Sequence, residues 1–259
     1  MLKSCKMAKY SEDELLWRHI LTRFNKGISQ YGLIDDGDNI MVALSGGKDS
    51  MALLSLLAEK SRIFKPRFSV VAMHVVMQNV GYKSDIDYLR DFSENLGVPF
   101  FYVETSYEYS EQSGKPHCFL CSWNRRKVLF SKAKEMGCNK IALGHHMDDI
   151  LETLLMNMLF AGSPSPMAPL LKMNKFDMTI IRPMCLIRER ELSQLAAARG
   201  FREQTVKCPH ERATNRLRMK QMLAEMEHIN PEACYSLWRC VDKMLSAGHT
   251  ADSESDKVF

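Results

Sequence analysis

The stretch MVALSGGKDSMALLSLL, residues 41–57, decides the fold of this chain. Its apolar run breaks at Ser45–Ser50 and resumes at once as an apolar helix. Glycine supplies unusual backbone angles and serine or aspartate caps helices, so the plainer interpretation is a tight strand-to-helix turn. Glycines also let backbone amides approach an anion closely, at the helix end whose dipole favours negative charge. The stretch therefore predicts a phosphate-binding loop.

This loop is shorter than the Gly-x-x-x-x-Gly-Lys-Ser/Thr loop of Walker A proteins. It carries Asp49 at a position where a cleaved γ-phosphate would be repelled. We therefore expect the loop to hold a pyrophosphate leaving group together with Mg²⁺, which Asp49 helps to bind. The predicted nucleotide contacts of the loop are Ser45, Gly46, Gly47, Lys48, Asp49 and Ser50.

Strand and helix patterns alternate along the first two thirds of the chain, and only helices follow. The strands are predicted at 39–45, 68–76, 98–105, 140–146 and 178–184, with a loop at 162–176. The helices are predicted at 11–31, 49–60, 84–96, 121–137, 147–162, 189–199, 211–228 and 231–246. This order predicts an α/β fold with a doubly wound, mostly parallel sheet and a C-terminal helical extension. We expect an N-terminal helix (1–35), an ATP-binding α/β domain (36–187), a basic helical extension (188–247) and a disordered tail (248–259).

The composition sets the class of protein. With 259 residues and 46% hydrophobic residues the chain can bury a sizeable core. Its apolar runs all fall well short of the ~20 residues that a membrane span needs. Because the N-terminal residues lack the apolar core of a secretory signal, we expect a cytoplasmic protein without membrane contact. The eight cysteines then favour metal or redox chemistry over disulfides.

Positive charge is concentrated near the C-terminal side. The formal net charge is only +4, but residues 182–220 hold ten Lys or Arg against four Glu. Such a segment on a near-neutral body suits a polyanionic partner, although a solvated helix surface explains the charge equally well.

Three cysteines have the spacing or position of metal ligands. Cys118 and Cys121 form a C-x-x-C pair at the start of a predicted helix, and Cys208 precedes a basic helix. A C-x-x-C pair can deliver two thiolates to one metal, but it also suits zinc or thioredoxin-like redox chemistry. A second C-x-x-C or a His-x-x-x-His that would complete a zinc site is missing from the sequence. Three thiolates would leave one iron of a 4Fe–4S cube without a protein ligand, open to substrate.

The loop resembles that of the PP-loop (N-type) ATP pyrophosphatases, which adenylate an oxygen and then replace AMP with a nucleophile. Two further stretches, MHVVMQ (73–78) and ALGHHMDDILETLLMNM (142–158), match the same family. The resemblance implies a fold of the adenine nucleotide alpha-hydrolase type. It also implies that His74, Gly144 and Asp149 contact the nucleotide. For His145, His146 and Asp148, helix capping and strand-end packing compete with a functional role.

Within that family the chain resembles the TtcA group of tRNA 2-thiocytidine synthetases, which are related to the TtuA enzymes that thiolate a tRNA uridine. The PP-loop, the CFLC pair (118–121), Arg125-Arg126 and the lone Cys208 carry this resemblance. It implies that Cys118, Cys121 and Cys208 hold a 4Fe–4S cluster. It also implies that Arg126 or Lys127 reaches an ATP phosphate. The chain lacks the terminal zinc-finger cysteine pairs of TtuA-type enzymes, which favours the TtcA group.

The resemblance implies a complete reaction. The C2 oxygen of a cytosine, expected at cytidine 32 of tRNA, would attack the α-phosphate of ATP and release pyrophosphate. Sulfur delivered through the open iron would then expel AMP. The sulfur donor would be a cysteine desulfurase or sulfide, and the assembly a homodimer. The basic segment, including Arg212, Arg216, Arg218 and Lys220, would hold the tRNA backbone.

Other functions remain open at this stage. One is a PP-loop ligase that uses ammonia or an amine, such as a lysidine synthetase, with zinc as a structural clip on the thiolates. Thiolation of another nucleoside or of a small molecule is a second. A nucleotide- and RNA-binding sensor without turnover is a third. We expect Trp123 to be a packed helix residue rather than a base-stacking one, Cys138 and Cys185 to pack in the core, and Cys5, Cys234 and Cys240 to be surface or helix-face thiols.

Overall fold

The structure is a computed structural model that describes residues 10–78, 84–106, 117–173, 177–202 and 215–248, without the side chains of 117–119. Cys5, Cys208, Arg212 and nearly all of the predicted tail lie outside these ranges. In the described ranges every helix is too short or too polar to cross a lipid bilayer.

Six strands form a single sheet in the order β3-β2-β1-β4-β6-β5. All neighbours are parallel except the β5–β6 pair, which is antiparallel. The strands are β1 (Asn39–Ala43), β2 (Ser69–Met77), β3 (Phe100–Thr105), β4 (Lys140–Ala142), β5 (Leu170–Met173) and β6 (Met178–Ile181). The helices are α1 (Glu12–Tyr31), α2 (Lys48–Ser61), α3 (Ile86–Asn95), α4 (His117–Glu135), α5 (Met147–Met156), α6 (Glu189–Ala198), α7 (Asn215–Ile229) and α8 (Ala233–Ser246). A π-helical segment, Asn157–Ala161, continues α5.

The sheet separates two hydrophobic cores because alternate residues of a strand point to opposite faces. In β1, Ile40 and Val42 join the core formed with α1, α2, α3 and α6, whereas Met41 joins the core formed with α4. A third core lies between α5, α7 and α8. Helices thus cover both faces of a mostly parallel sheet, and the predicted doubly wound α/β fold is confirmed.

Several boundaries differ from the predicted ones. Strand β4 ends at Ala142, four residues early, because the next residues leave the sheet to begin α5. Strand β6 ends at Ile181. The predicted loop at 162–176 contains strand β5, which pairs along the edge of the sheet. The predicted helix at 147–162 changes to π geometry at Asn157 and ends at Gly162, whose φ is 62°.

Candidate functional site

The predicted phosphate loop connects β1 to α2 at the carboxyl edge of the sheet. Gly46 adopts a positive φ of 88°, which an L side chain rarely tolerates. The Ser50 hydroxyl oxygen lies 3.2 Å from the amide nitrogens of both Ser45 and Gly46, and accepts from both. The same hydroxyl donates to the Gly47 carbonyl at 2.9 Å. Ser50 therefore holds the loop in a closed turn, over the first turn of α2.

The helix start provides charge and unpaired donors for an anion. Gly47 occupies the N-cap position without a side chain to cap it, so the first amides of α2 remain available to a ligand. Lys48 follows, with its ammonium nitrogen 3.2 Å from Asp49 Oδ2. Although burial opposes its charge, Asp49 and Glu189 raise the pKa of Lys48. Together these groups suit a phosphate ligand.

One feature of Asp49 points to a bound cation. Its Oδ1 atom is buried and accepts no hydrogen bond from the described part of the chain. Burial raises the pKa of Asp49, against the opposing charges of His146 and Lys48. A buried carboxylate oxygen without a partner is costly unless a bound group completes its coordination. Mg²⁺ prefers such an oxygen, often together with substrate phosphates, so Asp49 fits a metal–nucleotide site.

The turn from β4 to α5 packs directly onto this loop. A Cβ on Gly144 would lie 3.2 Å from the carbonyl carbon of Asp49 and from the backbone nitrogen of Ser50. His146 begins α5 by accepting from the Asp149 amide at 3.3 Å, while its own amide donates to Asp149 Oδ2 at 3.0 Å. His146 therefore acts as a helix cap, and Gly144 permits close approach of two backbones.

His145, at the end of β4, is surrounded by positive charge. Arg182 donates from Nε to His145 Nδ1 at 3.2 Å, which places the neutral ring's proton on Nε2. Burial, followed by the charges of Arg182, Arg216 and Arg126, lowers the pKa of His145 well below its usual value. The three arginines come from α4, from the segment after β6 and from α7. Three distant parts of the chain therefore meet at the carboxyl edge of the sheet, where anions would bind.

Carboxylates from α5 and α6 join the loop to the basic helix α7. Arg216 lies 3.1 Å from Asp149 Oδ1 and 2.8 Å from Glu152 Oε2. Burial raises the pKa of Glu152, although Arg216 opposes the shift. Asp148 accepts from Arg188 Nε at 2.9 Å. The contact with Arg188 gives Asp148 a structural role. The charge of Asp149 contributes to the raised pKa of Asp49 in the phosphate loop.

Comparison with known proteins identifies the family to which this loop belongs. Residues 17–225 match the PP-loop domain family. The chain belongs to the PP-loop family. It is 35% identical over 240 residues to a tRNA-cytidine(32) 2-sulfurtransferase of Geobacter sulfurreducens, covering 88% of this chain and 91% of that protein. A protein of the same name from Idiomarina loihiensis is 36% identical over 250 residues, covering 95% of this chain and 82% of that one.

A solved tRNA thiolase structure shows the same architecture. The U34-tRNA thiolase of Methanococcus maripaludis, solved with its 4Fe–4S cluster, superposes with a TM-score of 0.74. Its sequence is 25% identical, and the match covers 94% of this chain and 86% of that one. The predicted resemblance to the TtcA group of PP-loop proteins is therefore confirmed.

The other predicted PP-loop contacts occupy different environments. His74 is buried, with Nδ1 2.6 Å from the Leu44 carbonyl and Nε2 2.8 Å from Ser84 Oγ. Since a carbonyl can only accept, the His74 ring is a neutral Nδ1–H tautomer, and burial lowers its pKa. Both ring nitrogens thus hold the end of β2 in place. A nucleotide contact of His74 would use the face of its ring, and the predicted role stays a prediction.

Two residues predicted to reach ATP lie on α4 in different surroundings. The charge of Arg126 acts on His145, at the carboxyl edge of the sheet. Lys127 is exposed and its ammonium lies 5.4 Å from the centre of the Trp123 ring, which is 41% exposed. Arg126 thus acts at the carboxyl edge of the sheet whereas Lys127 is exposed, and a nucleotide contact of either residue stays a prediction. Trp123 was expected to be packed, and its exposure shows that expectation to be wrong.

The cysteines are only partly described. Cys121 lies in the first half of α4 and packs against the α4 core, and Cys118 lies one turn earlier on the same helix. The Cys118 side chain and all of Cys208 lie outside the described residues. Within those residues, no three His, Cys, Asp or Glu side chains form a metal site. Cys138 and Cys185 are buried as expected, and Cys240 is exposed. Cys234 was expected on a surface or helix face but is buried between α5, α7 and α8.

Sequence reasoning missed the acids and arginines that complete this site. Glu189 contacts Lys48, Glu152 contacts Arg216, and Arg182 contacts His145. Glu189 and Arg182 lie outside the quoted motifs, and Glu152 lies within 142–158 but was given no role there. The excess of Lys and Arg in 182–220 was explained by a polyanionic partner or by a solvated helix surface, and not by contacts with buried acids. The buried acids of α5 were the available signal, since a buried carboxylate needs a cation.

Gly144→Ala is expected to weaken ATP binding about tenfold, because overpacking against the first turn of α2 displaces the PP-loop and costs on the order of 1–3 kcal/mol. Titration calorimetry with α,β-methylene ATP and Mg²⁺ measures the affinity, and thermal melting checks the fold. An unchanged affinity would show that the contact with Asp49 and Ser50 does not set the loop geometry.

Proposed function

We propose that this chain is an ATP-dependent tRNA sulfurtransferase that replaces the C2 oxygen of cytidine 32 with sulfur. One observation carries the proposal. Arg126 follows Cys121 by five residues, and Arg216 follows Cys208 by eight. The charges of both arginines act on His145, at the end of β4 and beside the phosphate loop. Helix α4, which carries Cys121, and the start of α7, which Cys208 precedes in the sequence, therefore both lie at the edge of the sheet that holds the PP-loop. Both curated relatives described above carry the name of this activity.

The reaction has two displacements. The cytosine O2 attacks the α-phosphorus of ATP, which forms an O–P bond and releases pyrophosphate. A sulfur nucleophile then adds to C2, and the C–O bond breaks to release AMP. Adenylation turns a poor leaving group into a good one. The contribution of Lys48 and the α2 amides is to orient the triphosphate and neutralise the charge on pyrophosphate.

Two inorganic groups belong to the proposal, and different residues would hold each of them. Asp49 Oδ1 offers a buried carboxylate oxygen for Mg²⁺, which would neutralise phosphate charge when bound. Cys118, Cys121 and Cys208 are the thiols proposed to ligate a 4Fe–4S cluster, and the solved thiolase relative contains such a cluster. Held by these three thiolates, a cluster would keep one iron without a protein ligand and would supply a binding place for sulfur.

The tRNA backbone is proposed to lie along the outer face of α7. Arg218 is exposed on that face, and Arg212 precedes the helix outside the described residues. Contacts of this kind give affinity that falls with salt and little choice of sequence. The π-helical segment that continues α5 exposes Met158, Leu159 and Phe160.

Four further statements belong to the same proposal. The sulfur donor is a cysteine desulfurase or free sulfide, the assembly is a homodimer, the enzyme acts in the cytoplasm, and the chain divides at residues 35, 187 and 247. A tRNA substrate, as named for the relatives, supports the assignment to the cytoplasm. Analytical ultracentrifugation tests the homodimer.

The decisive experiment measures the modified nucleoside. Protein purified and reconstituted anaerobically is incubated with ATP, sulfide and an unmodified tRNA transcript, and the digested nucleosides are analysed by mass spectrometry. We expect 2-thiocytidine that depends on ATP, and none with a transcript carrying uridine at position 32. Lysidine, another thionucleoside, or pyrophosphate release without thiolation would each refute the assignment. The tRNA nucleosides of a deletion strain provide the matching test in cells.

A further inference from the structure

Helix α7 presents two different sets of cations. Met219 and Leu223 are buried against α5, so this side of α7 faces the protein. On that side Lys220 Nζ lies 2.6 Å from Glu189 Oε2. Arg218 points to a different side and is exposed. Lys220, whose side chain is 53% exposed, therefore contacts an acid beside Lys48.

Glu189 is shared between two ammonium groups. Its Oε1 atom lies 3.4 Å from Lys48 Nζ, a longer distance than that from Oε2 to Lys220. Its backbone amide donates to Asp148 Oδ2 at 2.7 Å, which fixes the start of α6. The side chains of Lys48 and Glu189 are 18% and 25% exposed, so water screens their attraction only in part. Of the two ammonium groups, Lys220 makes the shorter contact and the larger hydrogen-bond contribution to the lowered pKa of Glu189.

The balance of these charges determines what Lys48 can offer a phosphate. Burial alone would raise the pKa of Glu189, but the hydrogen bond from Lys220 and then the charge of Lys48 lower it. Glu189 is therefore a carboxylate at neutral pH. Without Lys220 its whole charge would attract Lys48, which already lies beside Asp49. A triphosphate would then have to compete with two carboxylates for one ammonium.

We propose that Lys220 is a positioning residue of the ATP site: by holding Glu189, it leaves the Lys48 ammonium available to the triphosphate. This inference rests on the proposed function only in taking ATP as the ligand of the loop. Lys220 belongs to the basic segment 182–220, which was predicted to hold tRNA. The inference gives Lys220 a role at the ATP site instead. Lys220 contacts neither substrate, and acts through Glu189 and Lys48.

The test is a double-mutant cycle on ATP affinity. The full chain is titrated calorimetrically with α,β-methylene ATP and Mg²⁺. Lys220→Gln is expected to weaken binding about threefold to fivefold, the range of a partly exposed ion pair. Adding Glu189→Gln to this variant is expected to restore the parent affinity, since no carboxylate then competes for Lys48. Lys220→Arg, which keeps the charge, is expected to bind like the parent. Lys243→Gln, which removes an exposed lysine of α8, is the control and is expected to leave ATP affinity unchanged.

A second measurement distinguishes this inference from the proposed function. The affinity for tRNA is measured across salt concentrations for the parent, Lys220→Gln and Arg218→Gln. Loss of a phosphate contact lowers the salt slope by about 1, and we expect this for Arg218→Gln only. A lower slope for Lys220→Gln, an unchanged ATP affinity, or a loss that Glu189→Gln does not repair would overturn the inference. Failure of all variants and the parent to bind tRNA would refute the proposed function, while the ATP cycle would still decide the role of Lys220.

Discussion

Asp49→Ala is expected to abolish adenylation of the tRNA base, lowering tRNA-dependent pyrophosphate release by about 10²–10³-fold. The reason is the position of the carboxylate. Its Oδ1 atom is buried and accepts no hydrogen bond within the described residues, and its Oδ2 atom lies 3.2 Å from Lys48. Such a carboxylate can bind the cation that accompanies the phosphates. Alanine removes that ligand and frees Lys48 from one of its two acids.

The measurement follows pyrophosphate in a coupled assay with tRNA, ATP and a range of Mg²⁺ concentrations. Asp49→Asn keeps the shape of the side chain and is expected to fail equally, because the amide carries no charge. Asp87→Ala, which removes an exposed carboxylate from α3, is the matched control and is expected to release pyrophosphate at the parent rate. Near-parent turnover of Asp49→Ala at every Mg²⁺ concentration would show that the carboxylate has no part in adenylation.

Asp49→Asn is expected to change the stability of the folded protein in a way that depends on pH. Burial raises the pKa of Asp49 in the folded protein. The folded state then binds the carboxyl proton of Asp49 more tightly than the unfolded chain does. The stability of the folded state therefore falls as the pH rises from the usual pKa of aspartate to the raised pKa of Asp49. Above the raised pKa this loss is complete. We therefore expect Asp49→Asn to melt at a higher temperature than the parent at neutral pH, and the difference to vanish at acidic pH. A lower melting temperature at neutral pH would mean that the carboxylate stabilises the fold.

The sequence predicted those parts of the site that are contiguous along the chain. Ser45–Ser50 forms a complete local structure, because the Ser50 hydroxyl holds the amides of the same loop. The turn at 144–149 behaves in the same way, with His146 and Asp149 capping one helix. In both cases the residues that define the geometry are at most five positions apart, so a short pattern carries the information.

The missing parts depend on contacts between distant residues. Arg182 meets His145 across 37 positions, and Arg216 meets Glu152 across 64. A local count of charge cannot show which cations turn inward, because that depends on how α7 packs on α5. Strand β5 was missed for a related reason. It has only four residues, lies at the sheet edge and is stabilised by pairing with β6.

Cys121→Ala is expected to abolish tRNA thiolation while ATP binding survives. Cys121 lies on α4 four residues before Arg125 and five before Arg126. The charge of Arg125 acts on His74 and that of Arg126 on His145, so this part of α4 lies beside the carboxyl ends of β2 and β4. A thiolate there is close to the proposed nucleotide site. Removing it leaves the proposed cluster with two of its three protein ligands.

Three measurements are needed to interpret that variant. Iron and zinc are quantified in anaerobically purified protein, 2-thiocytidine is measured by mass spectrometry, and ATP affinity is measured by calorimetry. We expect Cys118→Ala and Cys208→Ala to behave like Cys121→Ala, with iron lost and ATP affinity retained. Cys240→Ala, on the exposed face of α8, controls for loss of any thiol. Cys138→Ala controls for packing, because Cys138 is buried in the same core that Cys121 contacts.

The pattern of results separates the chemistry of the thiols from their packing. Cys121 is half-buried, so alanine could lower stability without touching the reaction. A packing effect would appear in Cys138→Ala as well, and would lower the melting temperature while leaving 2-thiocytidine formation in the folded fraction. Loss of a metal ligand would instead remove iron and thiolation together in all three variants. Zinc in place of iron would indicate a structural clip, and persistent thiolation in all three variants would refute a cluster held by these cysteines.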